Sequence, residues 1–408
     1  MSINFEIWTG LAGVTALVWL ARAVAMQLAL RDRKVLSSRS YDGPPDQPQR
    51  ISVIIAAKDE EENIEACVTS LLEQDYPDFE LIVIDDRSSD GTPEILRRLL
   101  GESGSRLRVV TVRELRDDWF GKNNAMREGV EVSTGEWLCF TDADCRQTSD
   151  TTLTMAMREA LAHNVDFLTL TPRLEMRSTW EKLLQPVCAL ALIAWFRPGR
   201  VNDPRRKSAY ANGAFMLMHR DCYEAIGGHE RVRNAANEDI QMARITKQMG
   251  LKLRVVENED LYLTRMYRTA ADAWRGWSRI FCCSLGTVPR LATAGLLMAV
   301  FTLLPWISLM IVATGWVLSD PQTASEWVPA VLAWAVVILL QETVVWRFYG
   351  VLKVNRLWSL TYFIGGVVTL GVLINALLKA AGLGATQWRG TVYRGDDLVG
   401  RSSSHPTR

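Results

Sequence analysis

The placement of apolar residues constrains this chain more than any other feature. Over its 408 residues, long uncharged stretches gather near the N-terminus and after position 290, leaving a mixed, charged middle. The first run extends from about Ile7 to Leu30 and is broken by Arg22; three more occupy roughly 291–318, 328–346 and 357–381. A bilayer crossing needs about 20 apolar residues. The pattern therefore predicts one N-terminal and about three C-terminal transmembrane helices around a globular domain, since a chain this long exceeds one ordinary core.

Flanking charge orients these helices. Arg31, Arg33 and Lys34 follow the first run, whereas residues 1–6 carry no Lys or Arg. The run lacks a basic start and a small-residue cleavage site, so it reads as an anchor rather than a signal peptide. Positive charge then places the middle domain in the cytoplasm of a multi-pass protein of the cell (inner) membrane. The loop around Asp320 and Glu326 reads as external, and the loop with Arg347, Lys353 and Arg356 as internal. That count puts the tail outside, although Arg389, Arg394, Arg401 and Arg408 argue for inside. Pro305 makes 291–318 a candidate re-entrant hairpin.

Two shorter stretches read as interfacial. The apolar block Leu183 to Phe196 is too short to span and is followed by Arg197, Arg200, Arg205, Arg206 and Lys207, suited to anionic headgroups. In 268–288, Trp274, Trp277, Phe281 and Leu285 fall on one helical stripe, and Arg268, Asp272, Arg275 and Arg279 on another. A helix lying on the membrane satisfies both stripes. The expected organisation is an anchor at 1–34, a cytosolic catalytic domain at 50–265, an interfacial helix at 266–290, transmembrane helices over 291–385 and a polar tail at 386–408.

Within the middle, Ile51 to Ala57 is an apolar run suited to a buried parallel strand, and residues 59–73 read as a helix. Leu81 to Ile84, Arg108 to Val112 and Trp137 to Phe140 read as further strands, with Pro93 opening a helix between them. Strands alternating with helices predict an α/β domain with a mostly parallel sheet covered on both faces. Such sheets bind ligands beyond the carboxyl ends of their strands. There stand Asp59 and Glu60, then Asp85 and Asp86, then Asp142 and Asp144. One such cluster is ordinary turn chemistry; three on successive strand ends point to one site.

The types of these residues suggest their chemistry. If the strand continues through Asp142-Ala143-Asp144, residues two apart point the same way and both carboxylates face one ligand. Two hard oxygen donors suit Mg2+ or Mn2+ bridging a diphosphate. Lys122, in Gly121-Lys122-Asn123-Asn124, suits a phosphate contact. Asp239, opening a helix after Asn237-Glu238, is placed to act as a general base. Asn212 to Met218, including Gly213, combines flexible backbone with an apolar lining for an acceptor.

Taken together, these motifs resemble the inverting family 2 glycosyltransferases with a GT-A fold, over roughly residues 50–285. The match rests on four motifs in order: a strand ending near Asp59-Glu60, the turn from Asp85 to Thr92, Asp142-Ala143-Asp144, and Glu238-Asp239. More narrowly the chain is similar to membrane enzymes that glycosylate hopanoids, carotenoids or ceramide, through Trp119-Phe120-Gly121-Lys122, Thr264-Arg265-Met266-Tyr267, the 274–279 segment and Trp388-Arg389-Gly390. The resemblance implies a nucleotide-sugar donor, UDP-linked, contacted by Ala57, Asp59, Glu60, Asp86, Lys122, Asp142 and Arg275. It implies metal ligation by Asp142 and Asp144, a base at Asp239, and a lipid or polyisoprenoid acceptor beside Gly213, Glu238 and Trp277. Ala56 replaces the Pro usual after the first strand. Arg275-Gly276-Trp277 stands where processive polysaccharide synthases carry Gln-x-x-Arg-Trp, which favours transfer of a single sugar.

Other classes fit less well. With 46 basic and 46 acidic residues the chain has no net charge and no nucleic-acid footprint. Its seven cysteines form no C-x-x-C pair and no Cys/His cluster, so neither zinc nor a disulfide framework is indicated. A haloacid-dehalogenase-like phosphatase would match the Asp142-Ala143-Asp144 pair, but Arg146 stands where Thr or Val is expected.

Overall fold

The computed structural model describes residues 5–31, 33–196, 198–388 and 391–394. Two compact units emerge: one from Met1–Asp32, Met176–Trp195 and Tyr267–Ala381, the other from Arg33–Glu175, Phe196–Met266 and Gly382–Arg408.

The second unit is α/β. Its strands in chain order are β1 (Val35–Leu36), β2 (Ile51–Ala57), β3 (Phe79–Asp86), β4 (Leu107–Val112), β5 (Trp137–Asp142), β6 (Cys145–Gln147), β7 (Phe167–Thr171), β8 (Arg173–Leu174), β9 (Met216–His219), β10 (Leu253–Asn258) and β11 (Tyr262–Thr264). Eight form one sheet in the order β1-β10-β7-β9-β5-β2-β3-β4, and β6-β11-β8 form a small second sheet. All pairs in the large sheet are parallel except those of β9 with β5 and β7. In β2, Val53 and Ile55 enter the core on one face while Ile54 enters the core on the other. Two buried faces are what an unbroken apolar run provides for. The expectation of a mostly parallel α/β fold is met.

Two local expectations give way to turns. The helix after β2 begins only at Ile64; before it Asp59 adopts a positive φ of 51°, a conformation Asp tolerates better than most residues. β5 stops at Asp142, and Ala143-Asp144 is a turn into β6. The two carboxylates thus converge through a turn, not through strand alternation.

The other unit is helical. Four of its helices are long and apolar enough to cross a membrane: Glu6–Arg31, Val288–Leu318, Pro321–Val351 and Arg356–Ala380. The stretch holding Pro305 is one continuous helix, not a hairpin, and it includes a π-helical segment at Ala299–Leu303. Proline removes an N–H from the ladder, and Gln341 Nε2 serves the carbonyls of Phe301 (3.1 Å) and Thr302 (3.2 Å) from the neighbouring helix. Thr179–Trp195 packs against Tyr362–Ala380. A Cβ at Gly365 would stand 2.5 Å from the Leu183 carbonyl, so glycine sets this close approach.

Ala270–Leu285 is the helix its stripes imply, but most of the apolar stripe meets protein, Trp274 alone of the four being exposed. Trp277, Phe281 and Leu285 are buried, and Asn375 Nδ2 donates to Ser278 Oγ at 2.9 Å across the contact with Tyr362–Ala380. In the tail, Ala385–Trp388 pairs with Thr391–Arg394 as a hairpin. Arg389, Gly390, Arg401 and Arg408, like Arg197, lie outside the described residues.

Candidate active site

The site gathers at the carboxyl ends of β2, β3 and β5, where register sets Ala57 beside Asp85 and Ala56 beside Asp142. The loop after β2 is tied to the turn after β3. Asp59 Oδ1 accepts from the Ser89 amide (2.7 Å), and the Glu60 amide donates to Thr92 Oγ1 (2.8 Å). Asp85 and Asp86 are buried. Asp86 receives Arg87 through two bonds, from Nε at 2.8 Å and from the terminal nitrogen at 3.1 Å. Gly121 makes room for this pair, since a Cβ there would lie 2.5 Å from Asp86 Oδ2.

Lys122 is the centre of the arrangement. Its Nζ sits 2.7 Å from Asp142 Oδ1 and 2.7 Å from Glu238 Oε1. Burial pushes the ammonium down, but Asp142 and Glu238 together outweigh that and hold it well above the ordinary lysine range. Lys122 is therefore a fixed cation joining the end of β5 to the start of the helix Glu238–Gln248. Gly213 stands where these groups meet: a Cβ would lie 3.0 Å from Lys122 Nζ, 3.5 Å from Glu238 Oε1 and 3.7 Å from Asp239 Oδ2.

Asp239 Oδ2 accepts from the Gly213 amide at 3.0 Å, and Oδ1 from the Ile240 amide at 2.7 Å. Burial, then the charge of Glu238, pushes its carboxyl up to about 7. A carboxylate poised there can take a proton near neutral pH. Asp144 is likewise pushed up to about 7, by burial and then by Asp142 and Glu60. That is the mark of a carboxylate cluster short of positive charge.

Among the described residues no group of three or more His, Cys, Asp or Glu forms a ready metal cage. Asp142 and Asp144 nevertheless fit a magnesium- or manganese-type ion that takes its other oxygens from a diphosphate. They offer hard oxygen donors only, and Asp144 is half-buried with two carboxylates close by. Burial and then Asp144 raise the neighbouring thiols of Cys67 and Cys145 well above the ordinary thiol range.

Sequence reasoning assigned no role to three contributors. Asn123 is fully buried, and its Nδ2 donates to the carbonyls of Val232 (2.8 Å), Arg233 (3.3 Å) and Ala235 (2.9 Å). With the Phe120 amide on the Arg233 carbonyl at 2.7 Å, it clamps the loop that leads to Glu238-Asp239. Its signal was its place beside Lys122. His229 is buried under Phe140 with ring centroids 4.9 Å apart, and burial and then Lys122 push it down to about 3, leaving a neutral ring. Tyr210 donates no acidity here, since burial pushes its phenol up to about 12.

Ala57, Asp59, Glu60, Asp86, Lys122, Asp142, Asp144, Gly213, Glu238 and Asp239 all belong to the α/β unit. Arg275 and Trp277 belong to the helical unit. There Arg275 pairs with Asp272 at 2.7 Å, and Trp277 is 3% exposed and packed against Phe281.

The site is therefore a strand-end carboxylate cluster on a mostly parallel sheet, with one antiparallel strand, β9, inserted beside β5. The family model described as Glycosyl transferase family 2 matches residues 52–227. The 4,4'-diaponeurosporenoate glycosyltransferase of Staphylococcus aureus is 25% identical over 256 residues, or 60% of this chain. This chain spans 64% of that relative's length. Glycosyltransferase AglE of Haloferax volcanii is 36% identical over 97 residues, 23% of this chain and 30% of its own. The solved mannosyltransferase PcManGT from Pyrobaculum calidifontis, in complex with GDP-Man and Mn2+, aligns over 91% of this chain and 98% of its own. That alignment has a TM-score of 0.53 at 17% identity. Residues 52–227 thus match the family 2 glycosyl transferase model, and the chain shares its fold with that mannosyltransferase.

Proposed function

We propose that the enzyme transfers a single sugar, with inversion, from a nucleotide-sugar donor, UDP-linked, to a hydroxyl of a membrane lipid of carotenoid or other polyisoprenoid type. The observation that carries this is the Lys122 bridge, which sets a metal-type carboxylate, Asp142, and a base-bearing helix start, Glu238-Asp239, one ammonium apart. Donor and acceptor chemistry are thereby held side by side, as direct displacement at an anomeric carbon demands. The S. aureus relative, whose name specifies a carotenoid-type acceptor, and the candidate membrane spans support the lipid reading.

In this mechanism Ala57, Asp59, Glu60 and Asp86 shape the nucleoside pocket, and Lys122 steadies the phosphate charge. Asp142 and Asp144 hold the divalent cation, Mg2+ or Mn2+, which when bound neutralises the departing diphosphate as a Lewis acid. Asp239, kept near Gly213, withdraws the proton from the acceptor hydroxyl. Glu238 fixes Lys122 and faces the acceptor. The catalytic domain lies on the cytosolic side, with an anchor at 1–34, an interfacial segment at 266–290 and further spans to residue 385.

The test uses membranes containing the enzyme with labelled UDP-glucose, UDP-N-acetylglucosamine and GDP-mannose, followed by separation of lipid from polymer. Label entering a lipid fraction is expected; label in neither fraction with any donor would sink the proposal. Label in polymer would favour a processive synthase. Asp239→Asn is expected to reduce transfer by at least about a hundredfold while donor affinity, read by calorimetry, holds.

A further inference from the structure

The helical unit buries a polar cluster that the transfer chemistry leaves unused. Helix Pro321–Val351 carries Gln341, Glu342 and Tyr349, and the short helix Arg356–Thr361 that packs on it carries Ser359. Both Glu342 carboxylate oxygens are buried and lack a well-formed hydrogen bond among the described residues, the hydroxyl that faces them being that of Ser359. The Tyr349 hydroxyl and Gln341 Oε1 are buried and unpartnered among the described residues. Glu342 faces Ser359, and Tyr349 lies beside both Glu342 and Tyr362. The Tyr362 hydroxyl is paired with Thr302 Oγ1 at 3.0 Å.

Such atoms are strongly disfavoured inside a candidate membrane span, where no bulk water serves them, and an ionisable group there marks a functional site by default. Their chemistry defines what they take. The Glu342 oxygens and the Gln341 oxygen accept, whereas the Tyr349 and Ser359 hydroxyls can also donate. An alcohol donates to the first set and accepts from the second. A phosphate or carboxylate would meet the like charge of Glu342, a cation could not accept from the hydroxyls, and a hydrocarbon does neither. Depth agrees with a lipid source. Glu342 stands five residues before Arg347, about 7.5 Å of helix rise from a charged helix end. A lipid hydroxyl near the interface reaches that level with its chain still in hydrocarbon.

We propose that Glu342, Tyr349 and Ser359 form a binding site for the hydroxyl group of a membrane-dissolved lipid. This rests on, and deepens, the reading of a lipid acceptor, because it gives the enzyme a place to hold that lipid's alcohol within the bilayer.

The experiment uses the full-length protein in phosphatidylcholine nanodiscs. The probes are a long-chain alcohol carrying a diazirine next to the carbinol carbon and the matching diazirine alkane, with labelled peptides mapped by mass spectrometry. The alcohol is expected to label the 338–362 region and the alkane to leave it unlabelled. Glu342→Leu and Tyr349→Phe should each lower alcohol labelling about tenfold, with donor-nucleotide affinity unchanged. If Glu342→Leu fails to fold, the near-isosteric Glu342→Gln serves. Equal labelling by both probes, or labelling indifferent to the substitutions, would mean that water alone serves these groups and would overturn the site. Hydroxyl-dependent labelling in a protein that transfers no sugar would instead keep the site and remove the transferase reading.

Discussion

At the scale of single residues, the site depends on a few groups held against their own preferences. Asp239 is the clearest case. Burial and Glu238 raise its carboxyl to about 7, so it is protonated below that pH and free to accept a proton above it. A reaction that uses it as base should lose rate as pH falls through about 7, approaching tenfold per unit below that. Replacing Glu238 by Gln removes the second cause of the shift. The acid limb of the kcat/KM profile should then move to lower pH, whatever the loss in absolute rate; a stationary limb would assign the titration to another group. Asn123 makes a different prediction. Asn123→Ala removes a side-chain donor from three carbonyls, of which those of Val232 and Arg233 keep the backbone amides of Ala235 and Phe120; the cost is about 1–3 kcal/mol, and the loop before Glu238-Asp239 is loosened. A fall in kcat with donor affinity intact is expected, read by transfer kinetics alongside calorimetry of nucleotide binding.

At the scale of elements, the π-helical segment shows how one helix is repaired by another. Pro305 brings no N–H to the preceding turn, and Gln341 donates to the Phe301 and Thr302 carbonyls of that turn from the helix Pro321–Val351. Gln341→Leu should therefore destabilise the protein by about 1–3 kcal/mol in thermal unfolding in detergent. The loss should shrink in a Pro305→Ala background, where the backbone N–H returns; equal losses in both backgrounds would show that the two are uncoupled. Elements of this kind also mark how far the sequence can be read. β2, β3 and β5 were legible because strands buried on both faces need unbroken apolar runs, and these end in the carboxylates that matter. β7 and β10 were not, since β10 mixes Arg254 and Glu257 into its pattern and its identity comes from its neighbours. The amphipathic character of Ala270–Leu285 was legible from its period. What its apolar stripe would meet was not, because periodicity gives a buried face but no partner. Likewise Asp142 and Asp144 announced a paired site while concealing that a turn, not a strand, brings them together.

At the scale of the whole molecule, the order of the chain does not follow the order of the units. The α/β unit begins at Arg33, ahead of the expected boundary at 50, because β1 pairs with β10 and Arg33 is bonded to Glu257. The chain then leaves this unit for Met176–Trp195 and returns at Phe196. In Thr179–Trp195 the residues Leu183, Leu184, Val187 and Cys188 are buried, and the helix packs on Tyr362–Ala380. A fragment cut at 33–266 would thus carry a helix whose apolar face has lost its cover, a contiguous patch that drives association. Such a fragment is expected to aggregate without detergent. Replacing residues 177–195 by a short Gly/Ser linker removes the patch while keeping every strand of the large sheet. That version should be monomeric by size-exclusion with light scattering, and it should bind nucleotide diphosphate with Mn2+. It should transfer no sugar to lipid, since the candidate spans are gone. If the fragment with the helix intact were the soluble one, that helix would belong to the catalytic domain rather than to the membrane unit.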